Sequence, residues 1–201
     1  MVLRKRSWAA EIKGGMNISD HGSHFLTRNR DSHLNGYDDY KRSMHDACLR
    51  VPLVIAGGPF TGGVCCTDIV STAGLPKTIL ALAGVEVGDE MIGENLLEVA
   101  RGELPNRRNE AFAQISESRV GRVIRTPDYA YSVYAPGING SAQPDSEVYA
   151  DDFLYDLRKD PFELHNLAAD PGYTGVKQAL REKLLAWIFE AEHKTPTILD
   201  A

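Results

Sequence analysis

The sequence predicts an α/β protein that ends in a small antiparallel sheet and a long helix, and three observations predict it. An apolar run, VPLVIA over Val51–Ala56, reads as a buried strand and is followed by a helical pattern. Beyond about residue 110 the chain breaks into short alternating runs separated by turn residues, the grammar of an antiparallel meander. Between Pro171 and Glu192, Val176, Leu180, Leu184, Leu185, Ile188 and Phe189 recur at helical spacing, which predicts one buried face.

The elements follow in order. MNIS before Asp20 can end a strand, although Gly14 and Gly15 weaken it. Asn29, Asp31, Ser32, Asn35 and Gly36 then signal loop, and Arg42–Leu49 can form a short helical turn. Val51–Ala56 is apolar and β-branched enough for a central strand, and GGPFTGG after it is loop. Asp68 can cap a helix that runs to a stop at Gly84, with Ile69, Val70, Leu75, Ile79, Leu80 and Leu82 inward; Pro76 suits a first turn and allows a start only at Leu75. A second short helix spans Glu94–Arg101 and ends at Gly102. AFAQIS, RVIRT and YAYSVYA form the meander, with turns expected at Gly121 and Pro127-Asp128, and FLYDL is a further short strand before the Asp160-Pro161 turn. The change of grammar divides the chain into residues 1–110 and 111–201.

Composition bounds the function. With 43% hydrophobic and 25% charged residues the chain has the make-up of a globular protein, and no apolar run approaches the roughly 20 residues that span a bilayer. The start, MVLRKRSWAAEIKGG, has basic residues but no apolar stretch after them, so it is not read as a secretory signal and leaves the compartment open. The net charge of −6 argues against a nucleic-acid binder, yet residues 1–50 carry nine Lys/Arg against six Asp/Glu. That local surplus either favours an anionic ligand or is ordinary surface charge. Cys48, Cys65 and Cys66 are an odd number without zinc spacing, and reduced, partly buried thiols are expected.

The chemistry-bearing residues gather between Ser19 and Pro52, which holds four of the six histidines. Asp20 and His21 sit where a strand gives way to a loop, and a hard oxygen beside an imidazole nitrogen suits a divalent cation. Two ligands are too few alone, and the same pair also serves as a turn cap with a locally bonded imidazole. Lys41 and Arg42 offer a point charge and a planar fork for sulfate or phosphate oxygens, or else a solvated surface pair. His24, His33 and His45 are candidate acids, bases or ligands. Arg119, Arg122 and Arg125 on the meander could supplement an anion site. Dinucleotide, P-loop, zincin and nucleophile-elbow motifs are absent from the sequence.

Several segments together resemble the C-terminal half of the sulfatase family, of the alkaline-phosphatase-like superfamily. SDHG followed by YKRSMHDACLRVPLVIAGG resembles its SDHG block and the K-R-S and R-V-P-L-I-I block. DIVSTAGLPKTILALAGV resembles its helix ending in L-A-G, SRVGRVIRTPDYAYSVY its R-x-I-R-T-x-x-Y-K-Y hairpin, and FLYDLRKDPFELHNLAADP its Y-D-L-x-x-D-P-x-E-x-x-N-L tail. The resemblance implies that residues 1–110 are part of an alkaline-phosphatase-like sheet-and-helix domain and 111–201 a C-terminal α+β subdomain. It implies that Asp20 and His21 are two of four protein ligands to a divalent cation, usually calcium. Lys41 would bind the sulfate, with Arg42 beside it, and His24 would be a substrate or acid/base residue. The substrate implied is a sulfated small molecule or carbohydrate. The family's nucleophile, a cysteine in C-x-P-S/T-R converted to formylglycine, is not found among the three cysteines here. Two expectations follow: a hydrolase half that needs a complementary N-terminal half or self-association, or a non-catalytic remnant or interaction protein that keeps the fold's second half. A phosphoester or phosphonate hydrolase of the same superfamily would share these residues.

Overall fold

The computed structural model describes residues 14–23, 43–61, 63–88, 91–117 and 119–200. Strand β1 (Gly14–Ile18) pairs antiparallel with β2 (Leu53–Gly57), with Met16 opposite Ile55 and Ile18 opposite Leu53. The two glycines at the start of β1 do not abolish it, because β2 supplies a complete ladder partner. Among the described residues this sheet has two strands, so its faces are covered in part only, and Val54 is 62% exposed. The run read as a central strand is therefore half-open here.

Between these strands, helix α1 (Asp46–Leu49) makes a single turn. Helix α2 (Gly74–Leu82) starts one residue before Leu75 and carries Pro76 in its first turn, where the missing N–H costs nothing. Its buried residues are Gly74 and Thr78; Ile79, expected inside, is exposed. Thr78 explains the difference: its hydroxyl donates to the Gly74 carbonyl and accepts from the N–H of Leu96, so the buried contact with helix α3 (Leu96–Arg101) is polar. Asn95 caps α3 through the N–H of Leu97, and Gly102 ends it in the left-handed conformation.

The C-terminal sheet contains β3 (Ala111–Ser116), β4 (Val120–Arg125), β5 (Tyr129–Tyr134), β6 (Val148–Asp156) and β7 (Thr197–Leu199), adjacent in that order. The first four pair antiparallel; β7 pairs parallel with β6. Gly121 is not a turn but lies within β4 opposite Ile115 and Tyr134. Helix α4 (Thr174–Glu192) packs on one face through Leu180, Leu184 and Ile188, against Val120, Ile124, Tyr131, Val133, Tyr149 and Leu154. Phe189, expected in that stripe, is 58% exposed.

The opposite face carries a second core of Val123, Ala130, Phe153, Tyr155 and Leu157, closed by Met44 with Leu49 against it. The chain around α1 is thus clamped onto the face that α4 does not cover. The sheet holds charge in its interior as well. Asp151, fully buried at its side chain, accepts from Tyr131 Oη at 2.5 Å, Lys177 at 2.7 Å and Arg181 at 3.0 Å. Burial works to raise the pKa of Asp151, but those hydrogen bonds outweigh it and hold the carboxyl below its ordinary range, while burial and Asp151 push Tyr131 up. The network ties α4 to β5 and β6.

Candidate functional site

β1 delivers Asp20 and His21 at its end, and the turn they occupy is fixed by its backbone. The Ser19 hydroxyl donates to the carbonyl of His21 at 2.8 Å. The N–H of Gly22 donates to the carbonyl of Cys48 in α1 at 2.7 Å. A side chain at Gly22 is excluded, because a Cβ there would lie 2.0 Å from the carbonyl oxygen of Ala47. Glycine is thus required at position 22 for close approach of two backbones.

His21 and Asp20 then face each other. Nδ1 of His21 lies 2.7 Å from the Gly22 carbonyl, which can only accept, so Nδ1 is the donor there and Nε2 is the ring's other nitrogen. That Nε2 is 3.6 Å from Oδ2 of Asp20, whose side chain is 87% exposed. A carboxylate oxygen and an imidazole nitrogen thus lie side by side at the end of β1. Among the described residues, no group of three or more His, Cys, Asp or Glu comes together around a metal position. Lys41, Arg42, His24 and His33 lie outside the described residues.

His45 is a packed histidine. It is 6% exposed, bonded through Nδ1 to the Ser43 hydroxyl and through Nε2 to Tyr155 Oη at 3.2 Å, with its ring against Phe153. The three meander arginines are committed to carboxylates, so they do not form an anion site: Arg119 pairs with Asp152, Arg122 with Glu192 at 2.6 Å, and Arg125 with Asp46 at 2.9 Å. Cys48 is buried, whereas Cys65 and Cys66 are exposed rather than partly buried, and none of the three forms a disulfide.

One group that sequence reasoning did not single out is Glu163, in the turn after β6. It is 4% exposed, its φ of 56° lies in the left-handed region, and its Oε2 accepts from the N–H of Asp46 at 2.9 Å. Its other oxygen is buried without a hydrogen-bond partner. Burial, and then the Asp46 carboxylate, push its pKa up to about 8, against the opposing effects of the Asp46 N–H and Arg125. Its place in the D-P-x-E tail was visible; its burial was not.

Comparison with known proteins decides the family. A model of the family described as "N-sulphoglucosamine sulphohydrolase, C-terminal" matches residues 35–190. The chain belongs to the sulfatase family. Among sulfatases it is 31% identical over 143 residues to a Delta 4,5-hexuronate-2-O-sulfatase of Bacteroides thetaiotaomicron, a match that covers 67% of this chain and 27% of that protein. It therefore spans about a quarter of the length of that curated relative. The fold is that of the alkaline-phosphatase-like enzymes. A solved protein in complex with its substrate D-glucosamine-2-N,6-O-disulfate superposes with a TM-score of 0.67 at 23% identity, covering 91% of this chain and 35% of that one. The phosphonate monoester hydrolase of Agrobacterium radiobacter superposes with a TM-score of 0.66 at 24% identity, covering 87% and 34%.

Proposed function

We propose that this sulfatase-family chain supplies the C-terminal half of a sulfuric ester hydrolase acting on a sulfated carbohydrate. In this reading residues 1–110 are the partial alkaline-phosphatase-like domain and 111–201 the C-terminal α+β subdomain. The observation that carries it is the Asp20-His21 pair, a carboxylate oxygen and an imidazole nitrogen 3.6 Å apart on a turn that Gly22 fixes against α1. These two residues hold a divalent cation, calcium by family habit. Bound there, the cation would help neutralise negative charge on the sulfate oxygens.

The chain's own residues do the rest. Lys41 binds the sulfate and offsets charge that develops on its oxygens, and Arg42 adds a planar donor fork beside it. His24 moves a proton at the bridging or leaving oxygen. No cysteine of the 201 stands in C-x-P-S/T-R, so the nucleophile comes from polypeptide outside this sequence. The glucosamine disulfate bound by a neighbour of the same fold supports an amino-sugar sulfate as the first substrate to try.

The test is sulfate release from D-glucosamine-2-N,6-O-disulfate by this chain alone and by this chain mixed with an N-terminal sulfatase half that carries formylglycine. The reading expects turnover only in the mixture and its loss with Lys41→Ala. Turnover by the chain alone overturns it. A mixture that binds no cation and never turns over favours the non-catalytic reading instead.

A further inference from the structure

Glu163 has the features of a residue held in place against its own preferences: a left-handed φ of 56°, near-complete burial and a carboxyl oxygen with no partner. What it reaches lies 117 residues away. Oε2 accepts from the N–H of Asp46, the first residue of α1, and the Asp46 carboxylate is gripped by Arg125 from β4, at 2.9 Å from Nε and 3.0 Å from Nη2. The far side of the same single helical turn carries the contacts that set the Asp20-His21 turn. The Cys48 carbonyl accepts from Gly22, and the Ala47 carbonyl occupies the space a Gly22 side chain would need.

We infer that Glu163 is a positioning residue for the Asp20-His21 turn, acting through α1. The path has three rigid steps. Glu163 and Arg125 fix Asp46 from two elements of the C-terminal sheet region. A one-turn helix has no length over which to flex, so fixing Asp46 fixes Ala47 and Cys48. Those two carbonyls then fix Gly22, and with it the separation of the Asp20 and His21 donor atoms. That the turn binds a cation rests on the proposed function; that Glu163 positions it does not.

The protonation state fits this role. Among the described residues, the charged groups that act most on Glu163 are Asp46 on α1, Arg125 on β4 and Asp160 in its own turn. With its pKa pushed up to about 8, the carboxyl is neutral at pH 7 and accepts the Asp46 N–H without placing a second negative charge against the Asp46 carboxylate. Above that pH the two carboxylates repel across the contact that anchors α1.

The experiment is amide hydrogen exchange with NMR of the His21 ring, on the full chain without added cation. Glu163→Ala is expected to lower protection of the Gly22 amide at least tenfold and to shift the His21 ring signals, while protection at Val133 in β5 stays as in wild type. Glu163→Gln keeps an acceptor oxygen and is expected to retain wild-type protection at pH 7 and to hold it at pH 9. The wild type loses at least tenfold between those pH values. Should Glu163→Ala not fold, the pH comparison of wild type with Glu163→Gln decides alone. Equal Gly22 protection in every variant and at both pH values overturns the inference. If protection falls as expected but calcium shifts no signal of Asp20 or His21 in wild type, the positioning stands and the cation reading falls.

Discussion

Replacing Glu163 by Gln should flatten the pH dependence of stability between pH 5 and 8, and the size of the effect follows from the structure. The folded pKa is about 8 against an ordinary value of 4.5. Between those values the folded chain holds a proton that the unfolded chain has released. Stability therefore falls as pH rises through that window, and the contribution is fully lost above pH 8. Each pH unit is worth about 1.4 kcal/mol, and the whole window about 5 kcal/mol as a ceiling, since water entry and local relaxation lower the real penalty. Glu163 is 4% exposed, so solvent screening removes little of it. Urea unfolding at fixed pH from 5 to 9 gives the difference in stability between Glu163→Gln and wild type, in which other titrating groups cancel. That difference should rise by about 1 kcal/mol per pH unit and level off near pH 8. Parallel curves for the two proteins would refute the reasoning, because they would mean that Glu163 titrates as an ordinary carboxyl.

Three further perturbations separate the parts of the account. Arg125→Ala removes the bidentate grip on Asp46 and should cost about 1–3 kcal/mol in urea unfolding, with more hydrogen exchange at α1; a wild-type midpoint contradicts the clamp. Gly22→Ala forces a backbone shift away from Ala47 and should abolish any calcium-induced change in the His21 ring signals, read by NMR titration; an unchanged titration contradicts the close approach. Leu184→Ala opens a cavity at a fully buried contact of α4 with the sheet and should cost about 2–5 kcal/mol, lowering the thermal midpoint seen by circular dichroism; a loss below 1 kcal/mol contradicts the core assignment.

The sequence was most informative where one face of an element meets one core. Leu180, Leu184 and Ile188 recur every fourth residue and are buried as the period requires. Phe189 and Ile79 fit the same arithmetic and are exposed, because periodicity locates a stripe but not its width. β6 begins at Val148, well before the FLYDL run, since Asp151 and Asp152 break the apolar pattern; their charges are met by Lys177, Arg181 and Arg119, residues far away in sequence. β7 is three residues long and pairs parallel with β6, a contact that no local pattern announces. Gly121 looks like a turn residue in the sequence, but its lack of a side chain serves packing, with Ile115 and the Val133 carbonyl each 3.2 Å from a notional Cβ.

The site divides in the same way. Asp20 and His21 were legible because the D-H-G triplet is short and local, and Gly22 acquired its reason only from the Ala47 carbonyl. Asp46, Arg125 and Glu163 meet from three distant segments, and the left-handed backbone that marks Glu163 leaves no trace in residue type. His45, by residue type a candidate acid or base, is instead packed between Ser43 and Tyr155.

The most direct test of the central claim is sulfate release from D-glucosamine-2-N,6-O-disulfate by this chain combined with a formylglycine-bearing N-terminal half, compared with the same mixture carrying Lys41→Ala. The account predicts turnover in the first, none in the second and none from either half alone. Undiminished turnover with Lys41→Ala, or sulfate release by this chain without its complement, would contradict it.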